Sequence, residues 1–204
     1  MDFSAAILSK LLEIFRSPWI LAAIVILIAI MIRIGVSGSN ALERGRISLD
    51  EGDTTMAVHH FRESVSWVLP VAPWREDSAE ALWSIHVGQV ESGQLKEAVQ
   101  TLSMLRAGLM AGRSILGPDE AWHEKVDSAL APLMARWEAK AAVQEGRPIP
   151  GSLKEREAHF AQILSRDTLP SRGYGLIAIL GFFMWCFAVW RSTGATGKSR
   201  MKIL

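Results

Sequence analysis

LDEGDTTMAVHHF, residues 49–61, and VESGQLKEAVQTL, residues 90–102, superimpose at an offset of 41 positions. The overlay puts Gly52 over Gly93, Ala57 over Ala98, Val58 over Val99 and Phe61 over Leu102. In both copies a glycine closes one apolar-periodic segment. A small residue follows five positions later, and a large apolar residue one helical turn beyond that. Glycine ends a helix without steric cost, and a small residue facing a large one lets two antiparallel helices approach closely. Each copy therefore predicts a helix, a tight turn and a second helix.

Apolar positions three and four apart recur on both sides of these turns, and no run of alternating β-branched residues is present. The pattern predicts helices over 40–52, 54–68, 77–92, 94–110, 119–145 and 152–166, an all-α domain of about six helices. Asn40 with Glu43, Asp77 with Glu80, and Ser152 with Glu155 have the spacing of helix-starting caps. Gly117-Pro118-Asp119 marks a break before the fifth helix, and Pro132 is expected to kink or divide it.

The two copies resemble tetratricopeptide repeats, helix-turn-helix units of about 34 residues in which small and large residues meet at the helix crossing. In the first unit Gly45, Ala57, Phe61 and Ser64 fall on the family's small, small, large and small positions, with Gly52 in the turn. In the second, Ala98, Leu102 and Gly93 fit, while His86 and Leu105 replace small residues. A third pair would use Gly146 in its turn and Ala158 on its second helix. The resemblance implies a protein-interaction scaffold. The longer offset and the two replacements set it apart from a standard peptide groove.

Two segments flank this region. Residues 18–36 carry one charge, Arg33, and residues 173–190 carry none. A hydrocarbon core about 30 Å thick needs about 20 apolar residues in a helix, so both segments have the length of a span. Trp19, Tyr174 and Trp190 stand at their ends, where amphipathic rings favour the interface, and Arg33 is close enough to an end to extend its charge to the headgroups. A cleavable signal peptide is the alternative for the first segment. Against it, the 17 residues ahead carry their own amphipathic pattern, suited to lying on a lipid surface or docking on a partner. Gly175 and Gly181 would let another helix approach the second span.

Charge is distributed unevenly. Residues 37–171 hold 14 Lys/Arg and 19 Asp/Glu, whereas the rest of the chain holds eight and two. Arg191, Lys198, Arg200 and Lys202 follow the second span without an acidic residue, so both termini are expected in the cytoplasm and the central domain on the outer, periplasmic face of the inner membrane. The expected order is an amphipathic helix (1–17), a first span (18–36), an exported helical domain (37–171), a second span (172–190) and a basic tail (191–204). Cys186 is the single cysteine and falls within the second span, leaving the exported region without a disulfide.

Between the two copies lies SVSWVLPVAPWREDSAEALWSI, residues 64–85, with three tryptophans and two prolines. Pro70 and Pro73 stop a helix and stiffen the connection. Trp67 and Trp83 are expected on the flanking helices, and Trp74 in the linker, where it is the tryptophan placed to meet a partner.

No reactive constellation accompanies this architecture. HExxH, phosphate-binding glycine loops, G-x-S-x-G and the dinucleotide fingerprint are all absent. His59 with Glu63 and His123 with Asp127 stand one helical turn apart, a spacing equally expected of solvated pairs. The expectation is thus a non-enzymatic subunit without cofactor or metal and without affinity for nucleic acid, since the one basic cluster follows a span and suits anionic lipid. Its partners would be the bilayer and the proteins of a membrane complex such as a secretion, motor or respiratory assembly. The alternative is a periplasmic module stacking exposed tryptophans on a glycan or a lipid headgroup.

Overall fold

Helix α1 (Pro18–Asp50) runs unbroken for 33 residues in the computed structural model, about 50 Å at helical rise. Its first half is apolar and outward-facing, with Val25, Ile26, Leu27 and Ile28 between 51 % and 62 % exposed. Its second half buries Ala41, Leu42 and Gly45. Among the described residues it is the one helix long and apolar enough to cross a membrane.

The structure describes residues 18–67, 69, 72–111, 120–148, 151–165, 177, 180–182 and 184–185. All regular elements among them are helical and none is a strand. After α1 come α2 (Thr54–Ser66), α3 (Pro73–Glu91), α4 (Leu95–Ala111), α5 (Glu120–Gln144) and α6 (Leu153–Ser165). The chain forms two compact units, residues 1–161 and 162–204. In the first, α2 packs on α1, α3 and α4, and α4 packs in turn on α5.

Three helix ends share one construction. Gly52, Gly93 and Gly146 have φ of 81°, 76° and 65°, the left-handed region that only glycine enters freely. In each, the glycine N–H donates to the carbonyl three residues back and the next N–H donates to the carbonyl five back. The pairs are Gly52 to Leu49 (3.0 Å) and Asp53 to Ser48 (2.9 Å), Gly93 to Val90 (3.0 Å) and Gln94 to Gln89 (2.9 Å), and Gly146 to Val143 (3.2 Å) and Arg147 to Ala142 (2.9 Å). This double closure satisfies carbonyls that a helix end otherwise leaves unpaired. Asp53 then caps α2, its carboxylate accepting from the Met56 N–H at 3.0 Å.

The first hairpin closes over small residues. Added to Gly45, a Cβ would stand 2.6 Å from the Phe61 ring. Ala57 and Phe61 are 0 % and 1 % exposed, and the buried Ser64 hydroxyl donates to the Gly38 carbonyl at 2.9 Å. In the second hairpin Leu82, Ala98, Leu102 and Leu105 are all fully buried, with Leu105 standing where the first hairpin has Ser64 and the buried His86 where it has Gly45.

Several expectations are corrected. The boundary at 36/37 lies inside α1, and Asn40 and Glu43 start no helix. The turns ahead of them are already helical, so no free N–H remains for a cap to satisfy. Helix α3 begins at Pro73 rather than 77, because proline lacks only an N–H that the first turn cannot use. Asp77 instead accepts from Arg46 of α1 at 3.0 Å. Of the two outcomes expected at Pro132, a kink or a division, the division does not occur, since α5 runs through it.

The third hairpin is held differently from the other two. Ser152 and Glu155 form the expected reciprocal cap, at 2.8 and 3.3 Å, but α6 buries no residue and Ala158 is exposed. Helix α6 is tied to α5 by Arg156, whose guanidinium grips both carboxylate oxygens of Glu138, Nε to Oε2 at 2.6 Å. In the second unit residues 177, 180–182 and 184–185 are helical, and Phe182, Met184 and Trp185 are exposed. A Cβ on Gly181 would meet nothing within 4 Å. The segment 1–17, the Trp19 side chain, Pro70, Tyr174, Gly175, Trp190 and the tail from Arg191 lie outside the described residues.

Two glycines predict opposite responses to alanine. Gly45→Ala forces a Cβ into the Phe61 ring and should destabilise the fold by about 1–3 kcal/mol. Gly88, inside α3, has open space at its Cβ, and Gly88→Ala should stabilise by up to about 1 kcal/mol. Thermal melts of both variants in one detergent check the pair.

Candidate functional site

The first unit has two ends, set by the direction of α1. At the end nearer the apolar segment, Leu69 and Trp74 lie on α1 near Gly35 and Gly38. At the far end, about 24 Å beyond residue 36 at helical rise, stand the turns at Gly52 and, beside it, Gly93.

At the end nearer the apolar segment the indole of Trp74 lies on α1. A Cβ on Gly38 would be 2.3 Å from Trp74 Nε1 and 2.6 Å from Cε2, and one on Gly35 would be 3.9 Å from Cη2. Trp74 is 9 % exposed and occupies the second position of α3, so it stands neither in a linker nor free for a partner. Burying an indole of about 200 Å² contributes on the order of 5 kcal/mol before conformational entropy. Trp67 terminates α2, its N–H donating to the Ser64 carbonyl at 3.2 Å, and its ring is half-buried. Arg75 Nε donates to the Val65 carbonyl at 3.1 Å, drawing the start of α3 onto the end of α2. Pro73 is exposed. Of the predicted interface residues described, Trp67 closes α2 and Pro73 and Trp74 open α3, the two helix ends joined by the Arg75–Val65 hydrogen bond.

Trp83 is separate from them, about 13 Å along α3 from Trp74. It is half-buried and packs edge-on to Trp122 of α5 with ring centroids 6.2 Å apart. The Lys125 ammonium stands 4.3 Å from the Trp83 ring and 4.2 Å from that of Trp122, and Trp122 Nε1 donates to Glu76 at 3.0 Å. These contacts join α5 to α3, each cation–π contact contributing about 0.5–1 kcal/mol where solvent reaches it. Arg33 is exposed on α1.

At the far end a cleft of ≈ 450 Å³ opens between α2, α3 and α4. Leu49, Val58, Ile85 and Met104 form its apolar part, and Thr54, Thr55, Gln89, Ser92, Gln94, Gln100 and Thr101 supply hydroxyls and amides. Glu97 is the single charge on its wall. A neutral lining of this kind can pair with the main chain of an extended peptide or with another uncharged polar surface. It offers an anion no cation. Asp53 and Glu97 already compensate the positive ends of α2 and α4.

Spacing alone hid the most constrained positions. Gly35 falls inside the apolar segment and Gly38 just beyond it, and with Ala41 and Gly45 they form a stripe of small residues on α1 that marks a close helix contact. Trp122 and Lys125 gave no signal separable from an ordinary helix surface.

Among the described residues no group of three or more His, Cys, Asp or Glu side chains is placed to hold a metal. His86, in the position of a small residue, is buried beside Trp83, ring centroids 5.4 Å apart. Burial holds its pKa below the ordinary value, against a weaker opposing effect from a hydrogen bond to the Ala98 backbone.

Two predictions test these positions. Trp74→Ala leaves a void over Gly38 and should cost about 3–5 kcal/mol of stability, measured by denaturant unfolding in detergent. For His86, the unfolded chain binds the proton more readily than the folded one. Its stability contribution is complete above 6.5 and falls as pH drops through the lowered folded value. The unfolding midpoint of the wild type should therefore decline more steeply below pH 6.5 than that of His86→Gln. Compared with protein-family models, with curated proteins and with solved structures, the chain matches none.

Proposed function

We propose that this protein is a non-catalytic, membrane-anchored scaffold that holds a tetratricopeptide-like helical domain on the periplasmic face of the inner membrane as part of a multiprotein complex. The observation that carries this reading is the continuity of α1. One helix supplies both the apolar segment and a wall of the helical domain, so an anchored α1 would set the height and direction of the domain without a flexible joint. The second apolar segment, 172–190, is read as a second span, and the basic residues beyond it favour cytoplasmic termini.

The cleft at the far end supports a role in binding protein. It is open, largely uncharged and rich in amide and hydroxyl groups, which suits main-chain recognition by hydrogen bonds. The partner would be another membrane or periplasmic subunit.

Full-length protein extracted in mild detergent should migrate with partner subunits in a complex larger than its own 22.5 kDa plus micelle. Gln100→Arg, which puts a long cation into the cleft, should lose the partner by at least tenfold in co-purified yield while its thermal midpoint is unchanged. Elution of the wild type as a lone monomer would overturn the scaffold reading. A complex unaffected by Gln100→Arg would move the contact away from the cleft.

A further inference from the structure

The connection between α2 and α3 is apolar beyond what its packing on α1 requires. Residues 67–74, WVLPVAPW, contain no charge, although Arg62 and Glu63 precede them and Arg75, Glu76 and Asp77 follow. A surface connection in water is normally polar, because its backbone and side chains face solvent. Here the described side chains of Trp67 and Leu69 are half-buried and Pro73 is exposed.

Its level along α1 accounts for this composition. A Cβ on Gly35 would meet Leu69 Cδ1 at 3.7 Å. Gly35 lies in the last turn of the apolar segment 18–36, two residues beyond Arg33 and next to Val36, which is 54 % exposed. Leu69 thus lies beside the end of the apolar segment, and Trp67 and Pro73, equally uncharged, stand within four residues of it in the chain. At a bilayer edge, tryptophan and other apolar side chains gain from lipid what they lose in water, and the arginine within the segment reaches outward to headgroups.

We propose that Trp67, Leu69 and Pro73 form a lipid-contacting collar, seated in the interfacial region of the outer leaflet alongside α1. This rests on the reading that α1 spans the membrane. The occupant is the bilayer, because the collar is continuous with the surface of α1 that the span itself would give to lipid. A helix held only along its own axis can slide and tilt. Contact at a second point, offset from its axis, restrains both.

The experiment uses the full chain in nanodiscs of zwitterionic and anionic phospholipid, in a Cys186→Ser background. A fluorescent NBD probe is attached at Leu69→Cys, at Pro73→Cys, at Leu27→Cys within the span, or at Ser92→Cys at the far end. Each is quenched by lipids with a nitroxide on the headgroup or high on the acyl chain, and separately by aqueous iodide. Positions 69 and 73 should be quenched by nitroxide lipid at least threefold more than position 92, with iodide showing the reverse order. Position 73, exposed in the structure, keeps the test valid if substitution at Leu69 disturbs packing. Quenching at 27 without quenching at 69 and 73 overturns the collar, leaves the span in place, and assigns the connection to a protein partner or to water. Absence of lipid quenching at 27 overturns the membrane reading, and the collar with it.

Discussion

Because position 38 has no side chain, the indole of Trp74 can lie directly on the backbone of α1, and the remainder of the first unit follows from that contact. It fixes where α3 starts and how close α3 comes to the apolar segment. The Ser64 hydroxyl reaches the Gly38 carbonyl in the same neighbourhood, so α2 and α3 both converge on one turn of α1. Any larger residue at 38 would collide with a rigid ring held at the first turn of a helix, where little can move aside. Two turns further along, Gly45 repeats the arrangement with Phe61. The two glycines make α1 a shared wall for the helices beside it.

Position 35 extends the same face into the apolar segment. The domain therefore does not hang from the apolar segment by a linker but uses a continuation of the same helix as part of its core. Ion pairs reinforce the arrangement from the outside, Arg46 with Asp77 and Arg44 with Glu63. Both pairs are solvent-exposed, and each contributes at most about 1 kcal/mol, so close packing rather than charge sets the geometry.

The hairpins were legible in the sequence where a glycine turn and a small-to-large crossing coincide, because both leave fixed offsets. Gly52, Gly93, Ala57, Phe61 and Ala98 all stand where periodicity put them. The helix starts were less legible. Asn40 and Asp77 have capping chemistry, but a cap acts only where backbone donors are free, and the preceding residues had already been drawn into helices. Trp74 was misjudged because two prolines close by look like a linker. Pro73 opens a helix instead, which carries its neighbour into the core. The far-end cleft was invisible to pattern reading: its polar residues come from three helices and acquire a common surface only when the hairpins stack. The residues that join α3 to α5 were equally silent, since an ammonium between two indoles leaves no spacing rule.

An unbroken helix is also a lever. A change in tilt at the apolar end of α1 is not absorbed by a hinge before the domain begins. For a rise of about 24 Å between residue 36 and the far turn, a tilt of about 10° carries that turn sideways by about 4 Å, close to a full van der Waals diameter. If α1 lies in a bilayer, the thickness of the surrounding lipid would thus be expressed as a lateral position of the cleft, amplified by distance and opposed only by whatever holds the near end.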